Sequence, residues 1–248
     1  MVTFRDHFSA QSPLYAQYRP RYPAALYSWL ATLAPSRHRA WDCGTGNGQA
    51  ASALLEHFGV VVASDASTSQ LAQSHRDPGP AYAAMTAESA ALASGSMALV
   101  TVAQALHWFN TDDFFAEAMR VLEPEGVLAV WSYGLLTITP AIDAVIGRIN
   151  KTTLGDYWPP ERAHVDDCYA SLVLPMKSIA PPDFVMEEWW PLSRVLGYLR
   201  TWSAVLRLSS VAGIDPVEAL TPELTRLRGD VEEARLIRWP LATRAGRK

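Results

Sequence analysis

Short apolar runs that alternate with helical segments constrain the fold of this 248-residue chain more than any other feature. Predicted strands span residues 39–43, 60–64, 81–85, 97–102 and 127–131. Predicted helices span residues 24–30, 50–58, 67–74 and 111–122. Strands that alternate with helices form parallel sheets that are covered on both faces. We therefore predict an α/β fold built on a doubly wound, mostly parallel sheet.

After Gly134 the regular alternation ends, and prolines recur through residues 135–182. We interpret this segment as a helical cap inserted into a main domain. The main domain is predicted to comprise residues 1–134 and 183–248. Its second part is predicted to contain a strand at 184–190, helices at 193–208 and 216–233, and a last strand at 235–243. Pro240 in the last strand indicates an edge or a bend. The chain is expected to form one globular unit.

A glycine-rich loop, Asp42-Cys43-Gly44-Thr45-Gly46-Asn47-Gly48, joins the first predicted strand to the next helix. Glycines allow the backbone to approach a ligand closely, and the N-terminus of the helix offers free N–H groups. The G-x-G-x-G spacing differs from the G-x-G-x-x-G of dinucleotide-binding folds. A carboxylate at Asp42 would repel a pyrophosphate and favour a positively charged ligand such as S-adenosylmethionine. The alternative is a tight turn without a ligand.

Acidic and polar residues follow the next two predicted strands. Asp65 lies 19 residues after Gly46, at the end of the second strand, where a carboxylate can accept both hydroxyls of a ribose. The alternative is that Asp65 caps the helix that begins near Ala66. After the third strand, the N–H of Ala87 and the acceptor Glu88 are placed to recognise an adenine edge. Without that context the same residues are an ordinary polar loop.

His107 and Trp108 follow the fourth predicted strand. In open α/β sheets, ligands bind outside the carboxyl ends of the strands, where the strand order reverses. His107 is therefore a candidate general base or hydrogen-bond donor. The alternative is a structural histidine that packs against Trp108.

These segments resemble, in their order along the chain, the motifs of class I S-adenosylmethionine-dependent methyltransferases of the type 11 group. The motifs are Asp42 to Gly48, Asp65, Ala87-Glu88, Gln104-Ala105-Leu106-His107-Trp108 and Leu122 to Leu128. Residues 15–23 are similar to a subfamily that includes fungal trans-aconitate 3-methyltransferase and the cantharidin-resistance methyltransferase. Residues 157–162 and 200–203 resemble its cap region. The resemblance covers most of the chain, with looser motifs beyond Gly134.

The resemblance implies a Rossmann-like, seven-stranded sheet whose last strand is antiparallel, with S-adenosylmethionine as cofactor. The cofactor-binding residues that it implies are Tyr15, Arg19, Asp42, Gly44, Gly46, Asp65, Ala66, Ala87, Glu88 and Gln104. Asp42, Gly44 and Gly46 would surround the methionine part, which the backbone of Gln104 would also face. Asp65 would hold the ribose, and Ala87 and Glu88 would flank adenine. Tyr15 and Arg19 would close the site, with Arg19 as a partner for the cofactor carboxylate.

The expected acceptor is a small molecule, and a carboxylic acid is our preferred class. Its predicted pocket residues are His107, Trp108, Trp158, Arg200 and Trp202, with Arg162, Tyr169, Trp189 and Trp190 as further candidates. Arginine suits a carboxylate because its planar fork binds both oxygens. A carboxylate needs no base, whereas an amine or hydroxyl does, and His107 is then the candidate base, assisted by Tyr15 or Tyr18. The alternative is that most of the aromatic side chains form the core of the cap.

Composition narrows the choice of partners. The net charge of −4 disfavours nucleic acid, which usually requires a basic surface. The sequence contains no apolar run of membrane-spanning length and no secretory signal, and Cys43 and Cys168 lack the spacing of a zinc site. We expect a cytoplasmic protein without a metal. The alternatives are a nicotinamide-dependent oxidoreductase, a cofactor-binding protein without catalysis, and a methyltransferase of RNA or protein.

Overall fold

A computed structural model describes residues 18–74 and 79–248. The strands are β1 (Arg39–Cys43), β2 (Val60–Asp65), β3 (Ala81–Ala84), β4 (Met97–Ala103), β5 (Leu122–Tyr133), β6 (Lys177–Ile179), β7 (Phe184–Trp190) and β8 (Arg235–Arg247). The helices are α1 (Ala24–Leu33), α2 (Gln49–Leu54), α3 (Thr68–Ala72), α4 (Thr111–Val121), α5 (Pro140–Arg148), α6 (Ala163–Asp166), α7 (Leu192–Arg200), α8 (Ser203–Ala212) and α9 (Pro216–Arg228). Short 3₁₀ turns lie at Leu106–Trp108, Gly155–Tyr157 and Pro160–Arg162, and a π-helical turn at Ile149–Thr153.

The strands form one sheet in the order β3-β2-β1-β4-β5-β8-β6, with β7 also paired to β8. Strands β1 to β5 are parallel, and β8 runs antiparallel to β5, β6 and β7. Leu241 in β8 pairs with Tyr133 on one side and with Phe184 on the other, so β6 and β7 share one position of the sheet. The predicted Rossmann-like sheet is therefore confirmed, with its outer position divided between two strands.

Side chains of the central strands alternate between two hydrophobic cores. Trp41 of β1 belongs to one core with Phe114 of α4, and its ring lies 6.4 Å from the ring of Phe114. Trp131 of β5 belongs to the other core and contacts Tyr22 and Tyr27 edge-on. Successive residues of a strand point to opposite faces, which is why both sides of these strands are apolar. The doubly wound arrangement follows from this pattern.

Several predicted boundaries were wrong. The predicted helix at 193–208 is two helices, α7 and α8. The first ends because the hydroxyl of Thr201 donates to the carbonyl of Tyr198 and Trp202 is extended, with φ −68° and ψ 133°. Strand β5 starts at Leu122, so it includes the predicted turn at 123–126, where Glu125 has a left-handed φ of 63°. Strand β6 was not predicted.

The helices that follow β5 and β7 form one helical layer, comprising α5 to α9. Helix α9 packs against α5 and α7, and α8 packs against the Gly155–Tyr157 turn. Arg148 of α5 forms an ion pair with Glu223 of α9. The layer thus combines the predicted cap segment with residues 192–228. In the two described ranges, 18–74 and 79–248, no helix combines the length and apolar character needed to cross a membrane.

The left-handed glycine at the start of α2 generates a stability prediction. Gly48 has a φ of +89°, and a Cβ at this position would overlap the hydroxyl of Tyr82 and lie 2.9 Å from its Cζ. Both the backbone strain and the clash oppose a side chain there. We expect Gly48→Ala to lower the free energy of unfolding by about 2–4 kcal/mol in urea titrations followed by tryptophan fluorescence.

Gly147 in α5 provides the matched control, because a Cβ there meets no atom of residues 18–74 or 79–248 within 4 Å. Gly147→Ala should leave the unfolding free energy unchanged or raise it by up to about 1 kcal/mol, since alanine favours helix. Equal stability of the two variants would contradict the loop geometry.

Candidate cofactor and acceptor site

The glycine loop crosses from the end of β1 over the end of β2. The N–H of Thr45 donates to the carbonyl of Ser64 at 2.9 Å, and the N–H of Gly46 donates to Oδ2 of Asp65 at 2.8 Å. Gly44, Gly46 and Gly48 all have positive φ, of 66°, 58° and 89°. Residues with a Cβ rarely adopt this conformation, so the glycines permit the path of the loop.

Asp42 lies beneath the loop and is fully buried. Its carboxylate accepts hydrogen bonds from the hydroxyl of Thr45 in the loop and, at 2.7 Å, from that of Thr101 in β4. Burial raises the pKa of Asp42 to about 6, although the two hydroxyl groups act in the opposite direction, and the negative charge of Asp65 adds to the increase. This geometry favours support of the loop over direct contact between Asp42 and a ligand.

Asp65 ends β2 and also organises the backbone around it. Its two oxygens accept N–H bonds from Gly46 and from Ser67, each at 2.8 Å. Ser67, not Asp65, caps α3, because its side chain accepts from the N–H of Gln70. A carboxylate has about four acceptor positions, so these bonds are compatible with additional hydroxyl donors. Half-buried Ala66 lies between Asp65 and Ser67.

The space beside Gly46 is open. Among the described residues, a Cβ at Gly46 would meet a single neighbouring atom within 4 Å, Oε1 of Gln70 at 3.9 Å. At Gly44 the opposite holds, because a Cβ would lie 2.7 Å from Cβ of Ala105 and 3.0 Å from Cζ of Phe109. Gly44 therefore permits close packing of the loop on the segment after β4, whereas Gly46 borders room for a ligand beside Asp65.

The other predicted cofactor residues lie at the ends of β3 and β4. Ala87 is buried within a turn closed by the pairing of Thr86 with Ser89, and Glu88 accepts the N–H of Asn110 at 3.0 Å. Gln104 adopts a left-handed φ of 54° and links β4 to β5. Its N–H donates to the carbonyl of Trp131 at 2.9 Å, and its side-chain amide donates to that of Tyr133 at 3.0 Å. A non-glycine residue with positive φ is uncommon and often marks a functional site.

A pocket lies between the carboxyl ends of β4 and β5 and the helical layer. Its lining residues are Arg19, Gln104, His107, Trp108, Tyr133, Gly134, Leu135, Trp158, Pro159, Arg162, Val165, Tyr198, Thr201, Trp202 and Ser203. The structure thus brings together most of the predicted acceptor residues. Tyr133, Tyr198 and Thr201 were not predicted. Tyr133 ends β5, so the rule that selected His107 at the end of β4 applies equally to it.

Three predicted or candidate residues lie away from the pocket. Arg200 does not line the pocket, because its Nε donates to Asp215 at 2.7 Å on the outer side of α7. Trp189 is 67% exposed, and Trp190 is in the core, where its ring lies 5.0 Å from that of Trp239. Tyr15 lies outside the described residues.

His107 is held by two aromatic neighbours. Its Nδ1 lies 3.0 Å from the hydroxyl of Tyr169, and its ring lies 4.7 Å from that of Trp108. Burial lowers the pKa of His107 to about 3, and the positive charges of Arg162 and His164 add to this shift. The imidazole is therefore neutral at physiological pH and a weak base, whose basicity is far from the optimum for general-base catalysis.

Two guanidinium groups line the pocket. Nη1 of Arg19 donates to the hydroxyl of Tyr133 at 3.1 Å. The guanidinium of Arg162 lies 3.7 Å above the ring of Trp158 and forms an ion pair with Asp166. Burial lowers the pKa of Arg162, which the charge of Asp166 opposes and that of Arg19 reinforces. Within the described part of the chain, no carboxylate lines this pocket.

The fold and the site together define a class I methyltransferase. A family model described as a methyltransferase domain matches residues 41–130. A methyltransferase of Dictyostelium discoideum is 35% identical over 204 residues, which cover 81% of this chain and 78% of that protein. The structure of a type II methyltransferase from Anaeromyxobacter dehalogenans is 43% identical, with a TM-score of 0.87 and coverage of 93% of this chain and 98% of that one.

The S-adenosylmethionine-dependent methyltransferase CRG1 of Saccharomyces cerevisiae is a more distant relative, 24% identical over 50% of this chain and 45% of that protein. The chain belongs to the type 11 group of S-adenosylmethionine-dependent methyltransferases. S-adenosylmethionine is therefore its cofactor, and the oxidoreductase alternative is set aside. The glycine loop, the open space beside Gly46 and the acceptor Asp65 fit this group.

The raised pKa of Asp42 predicts how the free energy of unfolding depends on pH. The pKa of Asp42 is raised from its ordinary value of 3.8 to about 6, so the folded protein retains a proton that the unfolded chain releases. The resulting stabilisation is fully present below pH 3.8 and is lost as the pH rises through 6. Asp42→Asn removes this dependence. Relative to the variant, the free energy of unfolding of the wild type should fall by roughly 2 kcal/mol between about pH 4 and pH 7.

Urea titrations at both pH values measure this difference. Asp156→Asn, at an exposed carboxylate, is the control and should track the wild type. A stability difference between Asp42→Asn and the wild type that does not change with pH would contradict the raised pKa of Asp42.

Proposed function

We propose that this methyltransferase acts on a small organic acid bound in the pocket between β4, β5 and the helical layer. The observation that carries the proposal is the charge of the pocket, where Arg19 and Arg162 face the same space with no lining carboxylate in the described residues. Burial lowers the pKa of Arg162 even though Arg162 forms an ion pair with Asp166, and the positive charge of Arg19 adds to that shift. A carboxylate of the acceptor would accept charge-assisted hydrogen bonds from Arg162, next to Arg19, the proposed partner of the cofactor carboxylate.

The walls of the pocket support a small acceptor. Trp108, Trp158, Tyr198 and Trp202 supply apolar surface from both the sheet and the helical layer. A concave, aromatic lining with a few polar groups is typical of small-molecule sites. The residues 135–182 that we predict as a cap would then enclose the acceptor together with α7 and α8. The cytoplasmic location inferred from the sequence stays a prediction.

The cofactor is proposed to lie across the ends of β1, β2 and β3. Asp65 would accept its ribose hydroxyls, next to Ala66, and Ala87 and Glu88 would flank its adenine. The methionine part would occupy the room beside Gly46 and face the backbone of Gln104. These contacts would direct it toward Arg19, the proposed partner of its carboxylate. Asp42 would contribute by holding the loop, and Tyr15 stays a predicted contact.

The chemistry places few demands on the protein. Bound S-adenosylmethionine supplies an activated methyl group and its own leaving group. The residues of the pocket would align the acceptor oxygen with that methyl group and exclude water. A carboxylate acceptor needs no base, which agrees with the low pKa of His107. Arg162 would bind and orient the acceptor, and Trp158 beneath it would fix the guanidinium plane.

The ribose assignment is tested with Asp65→Ala. Loss of the acceptor for the ribose hydroxyls should raise the Kd for S-adenosylhomocysteine more than about tenfold, or ~1.4 kcal/mol, in calorimetric titrations. The 2′-deoxy analogue provides the control, because it removes one hydroxyl from the ligand. It should bind less tightly than the parent compound to the wild type, and with similar affinity to the variant. Equal discrimination by both proteins would remove Asp65 from this role.

The acceptor assignment is tested by a screen with methyl-labelled cofactor against mono-, di- and tricarboxylic acids and their amides. Acids should become labelled and the matched amides should not. Arg162→Gln should raise KM for the best acid by about 10–100-fold, the effect of losing a hydrogen bond to a charged group, and leave the Kd for S-adenosylhomocysteine unchanged.

Arg200→Gln is the matched control, because Arg200 pairs with Asp215 away from the pocket. It should leave KM unchanged. Labelling of amines but not acids, or an equal effect of both arginine substitutions, would contradict the proposed acceptor class.

A further inference from the structure

We propose that Tyr169 fixes His107 in the tautomer with its proton on Nε2, so that His107 donates a hydrogen bond to an acceptor that enters the pocket as an anion. Tyr169 is then a positioning residue that acts through His107. That the acceptor is an anion rests on the proposed function. The tautomer itself depends only on the contacts between the two residues.

The phenol of Tyr169 lies in a buried position next to His107. Tyr169 is fully buried, and its hydroxyl lies 3.0 Å from Nδ1 of His107. Burial raises the pKa of Tyr169 well above its ordinary value of 10.0, and hydrogen bonds from the backbone N–H groups of His107 and Leu106 act in the opposite direction. These N–H groups belong to the first turn of the 3₁₀ segment Leu106–Trp108, where they have no partner within the helix.

One proton lies between the hydroxyl of Tyr169 and Nδ1 of His107. Among the described residues, Nδ1 of His107 is the acceptor within hydrogen-bond distance of the Tyr169 hydroxyl, so the phenol proton is directed at it. A neutral imidazole carries one proton, and when Nδ1 accepts a hydrogen bond that proton is on Nε2. The opposite tautomer would leave the O–H of Tyr169 buried without an acceptor among the described residues. An unsatisfied buried donor costs about 1–3 kcal/mol, which is enough to select the Nε2 tautomer.

The backbone that carries Tyr169 is unusual. Cys168 and Tyr169 have left-handed φ values of 57° and 54°, and the N–H of Tyr169 donates to the carbonyl of His164 at 2.8 Å. Two consecutive non-glycine residues in this conformation cost of order 1–3 kcal/mol each. The turn reverses the chain after α6 and directs the phenol inward at His107. Such strain is often found where the position of a side chain matters for function.

Nε2 of His107 lies on the side of the imidazole ring that faces away from Tyr169. His107 lines the pocket, and its Nε2 has no hydrogen-bond partner in the described ranges 18–74 and 79–248. With its proton on Nε2, His107 adds a donor to those of Arg19 and Arg162. The phenol of Tyr198 cannot accept a proton at physiological pH, because burial raises its pKa to about 12 and keeps it protonated.

A pocket whose described residues offer donors and no base selects an acceptor that is ionised before it binds, such as a carboxylate. One oxygen of the acid would accept from His107 or a guanidinium while the other attacks. The oxygen–carbon bond forms as the carbon–sulfur bond breaks, the electron pair stays on sulfur, and no proton is transferred. The same arrangement disfavours ammonium acceptors, which would bring a positive charge and a proton that none of the described pocket residues can accept.

The tautomer is tested by nitrogen-15 NMR of the protein labelled at histidine, with S-adenosylhomocysteine bound. His107→Gln identifies the signal of His107 by its loss. The nitrogen shifts should show the Nε2–H form in the wild type, whereas the Nδ1–H form would overturn the proposal. In Tyr169→Phe, which keeps the ring but removes the hydroxyl, the signal should shift toward a mixture of tautomers. An unchanged spectrum would remove Tyr169 from its positioning role.

The donor role is tested by two substitutions at His107, using the acid that is labelled fastest in the acceptor screen. The amide nitrogen of glutamine occupies a position close to Nε2, and that of asparagine a position close to Nδ1. Neither amide is a base. His107→Gln should therefore retain kcat/KM within about threefold of the wild type, whereas His107→Asn should lose about 10–100-fold, the effect of one hydrogen bond to a charged group.

Equal, large losses in both variants would indicate a base and overturn the donor role. The two proposals fail separately. If the screen labels no acid while the wild type shows the Nε2–H form, the acceptor class is wrong and the positioning by Tyr169 stands. If acids are labelled while the wild type shows the Nδ1–H form, the proposed function stands and this inference fails.

Discussion

The cofactor side of this site depends on one buried carboxylate. Asp42 ends the central strand β1 and accepts the hydroxyl groups of Thr45 in the glycine loop and Thr101 in β4. A second carboxylate, Asp65, holds the N–H of Gly46 from the end of β2. The loop is thereby fixed to three adjacent strands. The geometry of the glycine loop is consequently a property of the sheet.

The proposed acceptor side has a different origin and a different chemistry. It forms where the ends of β4 and β5 meet residues of the helical layer, and its polar groups are mainly donors. Arg19 lies at the junction of the two sides, bonded to Tyr133 on the sheet and positioned over Tyr198 of α7. The division explains how one fold serves many acceptors, since function resides in the site and not in the scaffold.

The sequence predicted the sheet and the cofactor loop well because both depend on local patterns. Strand alternation, the spacing of Gly44 and Gly46, and the position of Asp65 are all readable over short stretches. The acceptor pocket was less predictable. Tyr198 lines it from the last turn of α7, just before the break that separates α7 from α8, and Arg200 is held away from it by an ion pair with Asp215. Both outcomes depend on packing between segments that are distant in sequence, which no local pattern encodes.

The pairing of β8 also has a consequence for the order in which the protein folds during synthesis. Residues 235–247 fill the gap between β5 and the pair β6 and β7. Until these residues have been synthesised, unpaired backbone groups remain on the edges of β5, β6 and β7 that later pair with β8. Unpaired strand edges are prone to aggregation. The parallel strands β1 to β5 can assemble as they emerge. The part of the proposed acceptor pocket at Tyr133 is completed only when β8 has paired with β5.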